Sequence, residues 1–240
     1  DATLELRNQT AGPVLAVLED VAWTRDATTA AYVTTLQEFH DLFSSEVLAP
    51  GQHHAVRHLA LVFSNLKGST QLYEGIGDAA AYGRVNRLFE FIKQSTVSSG
   101  GAVIKTFGDG VMCAFPQLDE ALEAALAMQQ QIAPWCREQG IDPPFTLRLG
   151  VHAGPVIAIS ANDRLDYFGR TVNVAARLGD KSEGGDVVLL RETFDHASPT
   201  LTERGDLRVE SSTARVRGLG PEQEIVRLSA RPSTDRALTT

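Results

Sequence analysis

Hydrophobic and polar positions alternate in Leu4-Glu5-Leu6-Arg7-Asn8, break at Thr10-Ala11-Gly12-Pro13, and return as an apolar run over Val14–Trp23. Two such runs around a turn predict a β-hairpin. Asp26 then suits the cap of a short helix, and Thr35-Leu36-Gln37-Glu38 reads as a capping box before Phe39, Leu42 and Phe43. The periodicity of Tyr32–Leu36 fits helix and strand equally. Ala49-Pro50-Gly51, with His53 and His54 behind it, marks a linker. A metal needs ligands converging from fixed directions, which adjacent histidines on a loop rarely supply.

From Ala55 the pattern becomes regular. Val56–Phe63 reads as a strand that stops at a polar loop, and a helix with Val85, Leu88, Phe89 and Ile92 on one face follows. That helix ends at Ser98-Ser99-Gly100-Gly101. Short strands Ala102–Phe107 and Val111–Phe115 flank Gly108-Asp109-Gly110, a tight hairpin tip. A second amphipathic helix carries Leu118, Leu122, Ala125 and Leu126 and ends near Gly140. Phe145–Ile159 is a long strand pattern interrupted at Gly154-Pro155, and another helix begins near Thr171. Asp186–Leu190 is a strand, and Leu207–Leu228 reads as two more. The order predicts an α+β, ferredoxin-like βαββαβ fold with a C-terminal β extension. Its antiparallel sheet is expected to carry the helices on one face. Residues 229–240 read as a frayed tail.

Composition narrows the function classes. A chain of 240 residues suits one sizeable domain plus an appendage. Its 43% hydrophobic and 22% charged content are those of an ordinary globular protein. A net charge of −8 argues against nucleic-acid partners and against direct contact with anionic membranes. Cys113 and Cys136 give neither a disulfide framework nor a metal spacing, as expected of reduced thiols in the cytoplasm. No apolar run approaches the roughly 18 residues of a membrane span. The chain opens on a strand pattern with no signal peptide. It is therefore expected to be part of a longer protein, which could include membrane or sensory segments.

Candidate chemistry concentrates at Leu61–Thr70, read LVFSNLKGST. A strand ending this way brings Asn65 and several backbone N–H groups to one point, and a helix N-terminus behind Gly68-Ser69-Thr70 suits phosphate. In the βαββαβ plan Asn65 lies beside the hairpin tip that carries Asp109. Two carboxylates there would clamp a pair of Mg²⁺ ions for displacement at phosphorus, but only one of the two is acidic. Taken singly, Asp109 is more readily a turn residue, Lys105 a solvated lysine at a strand end, and Asp166 a loop carboxylate.

Four motifs in order resemble the class III nucleotidyl cyclases, which make cyclic AMP or cyclic GMP. Phe63–Thr70 (FSNLKGST) resembles that family's F-x-D-[IL]-x-G-[FS]-T, and Lys105–Asp109 its K-T-x-G-D. Gly150–Val156 resembles G-[IV]-H-x-G-x-V, and Asp166–Arg177 resembles D-x-x-G-x-x-V-N-x-A-x-R. The resemblance divides the chain into residues 1–54, a hairpin and helical transducer-like segment, 55–228, a cyclase homology domain, and the tail. It implies two Mg²⁺ or Mn²⁺ ions held by residues 65 and 109 and by the carbonyl of Leu66. Gly68, Ser69 and Thr70 would cradle phosphate, Asn173 would orient the ribose, and Arg177 would neutralise charge on the phosphates. Asn173 and Arg177, spaced i, i+4, share a helix face. Lys105 can donate to adenine N1 while Asp166 accepts from the N6 amine; guanine reverses that pattern, so the pair favours ATP. His152 is expected to be structural. Family members work as head-to-tail dimers, which implies a homodimer whose sites are shared between chains.

The implied function is an adenylate cyclase that converts ATP to 3′,5′-cyclic AMP and pyrophosphate. The alternative is a cyclase-like module that binds ATP for regulation without turnover. Both arise because Asn65 stands where the family has its first metal-binding aspartate. Three readings of Asn65 stay open: a replacement that traps substrate, a natural weakening, and a site working with one strong metal. Leu219 stands where some members place a phosphate-binding lysine, in a segment where Arg217 is the nearest cation. Glu183-Gly184-Gly185-Asp186 echoes the Gly-Gly-Asp of diguanylate cyclases but leads into a strand rather than forming a hairpin tip.

Overall fold

The computed structural model describes residues 28–43, 53–161 and 164–231. The hairpin expected before Asp26, the linker at Ala49–Gly51 and most of the tail lie outside these residues. Strand β1 (His53–Leu66) lies inside the sheet, paired along both edges. Its Leu59–Phe63 run is buried because helices cover both faces, the situation that produces continuous apolar strands. Ala60, Val62 and Leu66 pack with helices α4 (Asp78–Ser98) and α5 (Leu118–Glu138). Leu59, Leu61 and Phe63 pack with Ala175 and Val172 of α6 (Arg170–Gly179) on the opposite face. Helices therefore occupy both faces, and not one as the sequence predicts. The short α6 hides its single apolar stripe between the sheet and the turn near Val216.

The remaining elements are α1 (Ala30–Val33), α2 (Gln37–Phe43), α3 (Ser69–Ile76), β2 (Ala102–Phe107), β3 (Gly110–Phe115) and β4 (Leu147–Ala161). After them come β5 (Arg164–Phe168), β6 (Asp186–Leu190), α7 (Arg191–Phe194), α8 (Pro199–Thr202), β7 (Leu207–Ala214) and β8 (Gln223–Ala230). The open sheet runs β2-β3-β1-β4-β6-β8-β7, with β5 folded back on the far half of β4. The first four strands pair antiparallel, while β6 joins β4 in parallel.

Four local readings change. His53 and His54 belong to β1, opposite Ile159 and Ala158, and not to a linker. Pro155 does not interrupt β4: Arg57 and His58 bulge out of β1 at that point, so the missing proline N–H costs no ladder bond. Asp166 lies on strand β5, whose five residues are too short for period-two patterning to stand out. Thr35 does not cap α2, since its hydroxyl donates to the Tyr32 carbonyl at 2.7 Å and closes the turn after α1.

Gly150 permits the closest packing in the fold. A Cβ there would overlap the backbone N–H of Gly179 and the carbonyl of Ala175, so α6 rests directly on β4. The Gly-Gly-Asp echo is structural. Asp186 is buried and accepts hydrogen bonds from Ser182, the Gly184 amide and Arg227.

Candidate active site

Where β1 ends, the Lys67 amide donates to Thr146 at 2.9 Å, which fixes the chain beside the start of β4. Gly68 then turns with φ 75° and ψ 25°, a left-handed conformation that glycine alone adopts without strain. The turn opens α3, whose first turn has no side-chain cap, so the N–H groups behind Gly68 are available to an anion. Lys67, Gly68, Arg84 and Arg148 line a cleft of about 750 Å³ at this end of the sheet.

The β1–β3 register pairs Ser64 with Val111, and one step further Asn65 comes beside the Gly108-Asp109 turn. Asp109 Oδ2 is buried with no hydrogen-bond partner among the described residues. Leaving a carboxylate oxygen so costs a few kcal/mol, roughly, unless a cation satisfies it. Oxygen donors at this point suit a hard divalent ion. Asp109 therefore fits a metal site. Asn65 fits less well, because its Oδ1 already accepts from the Leu66 amide at 2.9 Å.

Arg148, to which the motif resemblance assigns no role, pairs across the sheet with Asn65. Its Nε is also buried without a partner among the described residues. An arginine between Leu147 and Leu149, both buried, is the sequence signal that marks it.

A second group lies outside the cleft. Lys105 on β2 and Asp166 on β5 form an ion pair of 2.6 Å, and the other Asp166 oxygen accepts from the Tyr167 amide at 2.7 Å. Lys105 is 42% exposed and Asp166 17%, so the pair faces solvent from one side. Asn173 is exposed on α6, and Arg177 one turn later donates to the carbonyl of Arg217. Leu219 packs in the small apolar cluster around Val216. None of Lys105, Asp166, Asn173 or Arg177 lines the cleft beside Gly68.

Within this geometry, a family model for the adenylate and guanylate cyclase catalytic domain matches residues 52–224. The chain belongs to this cyclase family. An adenylate cyclase of Mycosarcoma maydis is 30% identical over 188 residues, covering 70% of this chain and 7% of that one. An uncharacterized protein of Mycobacterium tuberculosis is 30% identical over 190 residues, covering 76% of this chain and 34% of that one. The chain thus spans about a third or less of the curated relatives it matches. The adenylyl cyclase CyaB from P. aeruginosa shares the fold at a TM-score of 0.62 and 24% identity, over 76% of this chain and 98% of that one. The guanylate cyclase domain of RhGC from Catenaria anguillulae, in complex with GTP, does so at 0.63 and 19% identity, over 75% and 100%. Among the described residues of this cyclase domain, no helix is long and apolar enough to cross a membrane.

His152 of the cyclase domain stands apart from both groups. Its Nδ1 bonds Thr193 Oγ1 at 2.8 Å, in a cavity of about 630 Å³ shared with His58 and His196. Burial, and then the charge of Arg170, push its pKa down to about 4 from the usual 6.5. Between those values the unfolded chain takes up a proton that the folded domain refuses. Stability held above pH 6.5 therefore falls as pH drops towards 4, by at most roughly 3 kcal/mol. Thermal melts should show a steeper loss between pH 6.5 and 4.5 in the wild type than in His152→Gln. Parallel pH profiles would contradict it.

Proposed function

We propose that this domain converts ATP to 3′,5′-cyclic AMP and pyrophosphate at sites shared between two copies of the chain. The observation that carries the reading is the Lys105–Asp166 pair. A donor and an acceptor stand side by side in the order that matches adenine N1 and its N6 amine. Opening an ion pair this exposed costs about 1 kcal/mol or less, so a base can replace it. The base-reading pair, Asn173 and Arg177 lie outside the cleft that holds Gly68 and Arg148. A nucleotide reaching both groups would therefore span two chains.

In that arrangement Asp109, Asn65 and the Leu66 carbonyl would hold divalent cations, Mg²⁺ or Mn²⁺. When bound, such ions lower the pKa of the ribose 3′-hydroxyl and brace the α-phosphate. The amides at Gly68–Thr70 and the Arg148 guanidinium hold the phosphate chain. Asn173 orients the ribose, and Arg177 neutralises charge as pyrophosphate leaves. The 3′-hydroxyl gives its proton to solvent and its oxygen bonds the α-phosphorus. The bond from that phosphorus to the β-phosphate oxygen breaks, and pyrophosphate takes the electron pair.

Exchanging the base-reading pair tests substrate choice. Lys105→Glu with Asp166→Cys is expected to shift preference from ATP towards GTP by at least tenfold in relative kcat/KM. An unchanged ratio would sink the pairing. One observation favours a second reading, an ATP-binding module without turnover: the Leu66 amide occupies the Asn65 oxygen. Cyclic AMP formation by the wild type, measured beside Asn65→Asp, separates the two readings: a weakened enzyme turns over ATP in both forms, whereas for a module the wild type is inert.

A further inference from the structure

Helix α2 and the turn before it lie outside residues 52–224, the span of the family's catalytic domain. They nevertheless pack on the two strands that carry the base-reading pair. Strand β2 is the edge of the sheet, and an edge leaves every second N–H unpaired. The Val103 N–H on that edge donates to Gln37 Oε1 at 2.8 Å. Gln37 is buried, and its amide nitrogen is held by Asp41 at 2.9 Å, so the acceptor is fixed in direction. The β2–β3 register shifts between Val103 and Lys105, so the capped amide precedes the irregularity that aims Lys105. On the other strand, the buried Tyr167 hydroxyl donates to the Thr34 carbonyl at 3.1 Å. Tyr167 is also the residue whose N–H holds Asp166.

The same segment is pinned to the body of the domain. Phe39 packs against the cluster containing Ile104 and Tyr167, and Asp41 pairs with Lys93 of α4 at 3.1 Å. His40 Nε2 meets the Thr34 carbonyl at 2.7 Å, which ties the helix to its own preceding turn. The Gln37–Val103 and Tyr167–Thr34 bonds run from the N-terminal segment to β2 and β5, while the Asp41–Lys93 pair anchors the segment to α4.

We infer that the α1–α2 segment is part of the base-recognition apparatus, with Gln37 and the Thr34 carbonyl as positioning groups for Lys105 and Asp166. The inference rests on the assignment of that pair to the base. Gln37 sets where β2 lies at its edge, and the Thr34–Tyr167 bond sets where β5 lies. Together they fix the separation of a donor and an acceptor that must match one purine edge. Whatever moves the N-terminal segment would then change base affinity and selectivity without touching the phosphate cleft.

Isothermal titration of the full chain with 3′-deoxy-ATP and 3′-deoxy-GTP in Mg²⁺ tests this, since neither nucleotide can cyclise. Tyr167→Phe and Gln37→Ala are each expected to narrow the ATP-over-GTP preference by about three- to tenfold, the size of one lost hydrogen bond. Affinity for inorganic triphosphate should stay the same. Lys105→Ala serves as the reference for the base assignment. If Lys105→Ala abolishes the preference while Tyr167→Phe and Gln37→Ala leave it intact, the positioning role is overturned and the base assignment stands. If Lys105→Ala leaves the preference intact, or the wild type shows none, both are overturned. Should Gln37→Ala fail to fold, Tyr167→Phe decides alone, because it keeps the buried ring and removes only the hydroxyl.

Discussion

Replacing Asn65 with aspartate is expected to raise cyclic AMP formation by about two to three orders of magnitude. An asparagine at this position gives one uncharged oxygen, which already accepts from the Leu66 amide, and an NH₂ group that cannot ligate a cation. Aspartate keeps the same backbone bond through one oxygen and offers the second, charged, to a cation beside Asp109. A charge pair at about 4 Å with an effective dielectric near 20 is worth roughly 4 kcal/mol, an upper figure for a solvated cleft. At about 1.4 kcal/mol per tenfold this sets the stated range. Nucleotide affinity should change far less, because Gly68–Thr70, Arg148 and the base-reading pair are untouched. Initial rates with ATP and Mn²⁺, measured for both proteins, check the expectation. Equal rates would mean that the missing charge is not what limits the site.

Gly150→Ala is expected to cost the fold more than any surface change, lowering the melting temperature by about 6–12 °C. The added Cβ would meet the backbone of α6 at Ala175 and Gly179, which cannot rotate away as a side chain would. Overpacking of this kind costs roughly 3 kcal/mol, and a domain of this size loses about 2–4 °C per kcal/mol. Relief requires lifting α6 from β4, which also displaces Asn173 and Arg177, so activity should fall with stability. Gly83→Ala is the matching control. A Cβ there meets nothing within 4 Å, and the helix interior gains from losing a glycine. A melting temperature for Gly150→Ala equal to that of the wild type would contradict the packing argument.

What the sequence made legible was local. Strand β1, the two long helices and the Gly108-Asp109 turn follow from runs, stripes and turn residues that need no partner to be recognised. Asn65 and Asp109 could be placed together because two adjacent strands end at one side. Other features depend on contacts far apart in the chain. The β1 bulge that accommodates Pro155 involves Arg57 and His58, which carry no turn signature. Helix α6 packs on the second face where Gly150 and Gly179 let two backbones meet, and two glycines far apart in the sequence do not announce a contact. Arg148 gave a signal, a charge inside an apolar strand, that the four motifs overshadowed. The Gln37–Val103 and Thr34–Tyr167 bonds join residues 66 and 133 positions apart, and no periodicity encodes such a pairing.

The most direct measurement supplies the Asn65→Asp chain with equal concentrations of ATP and GTP in Mn²⁺ and identifies the products by mass spectrometry. Cyclic AMP and pyrophosphate in clear excess over cyclic GMP is the expected result. Cyclic GMP in excess, or no cyclic nucleotide from a folded, nucleotide-bound dimer, would contradict it.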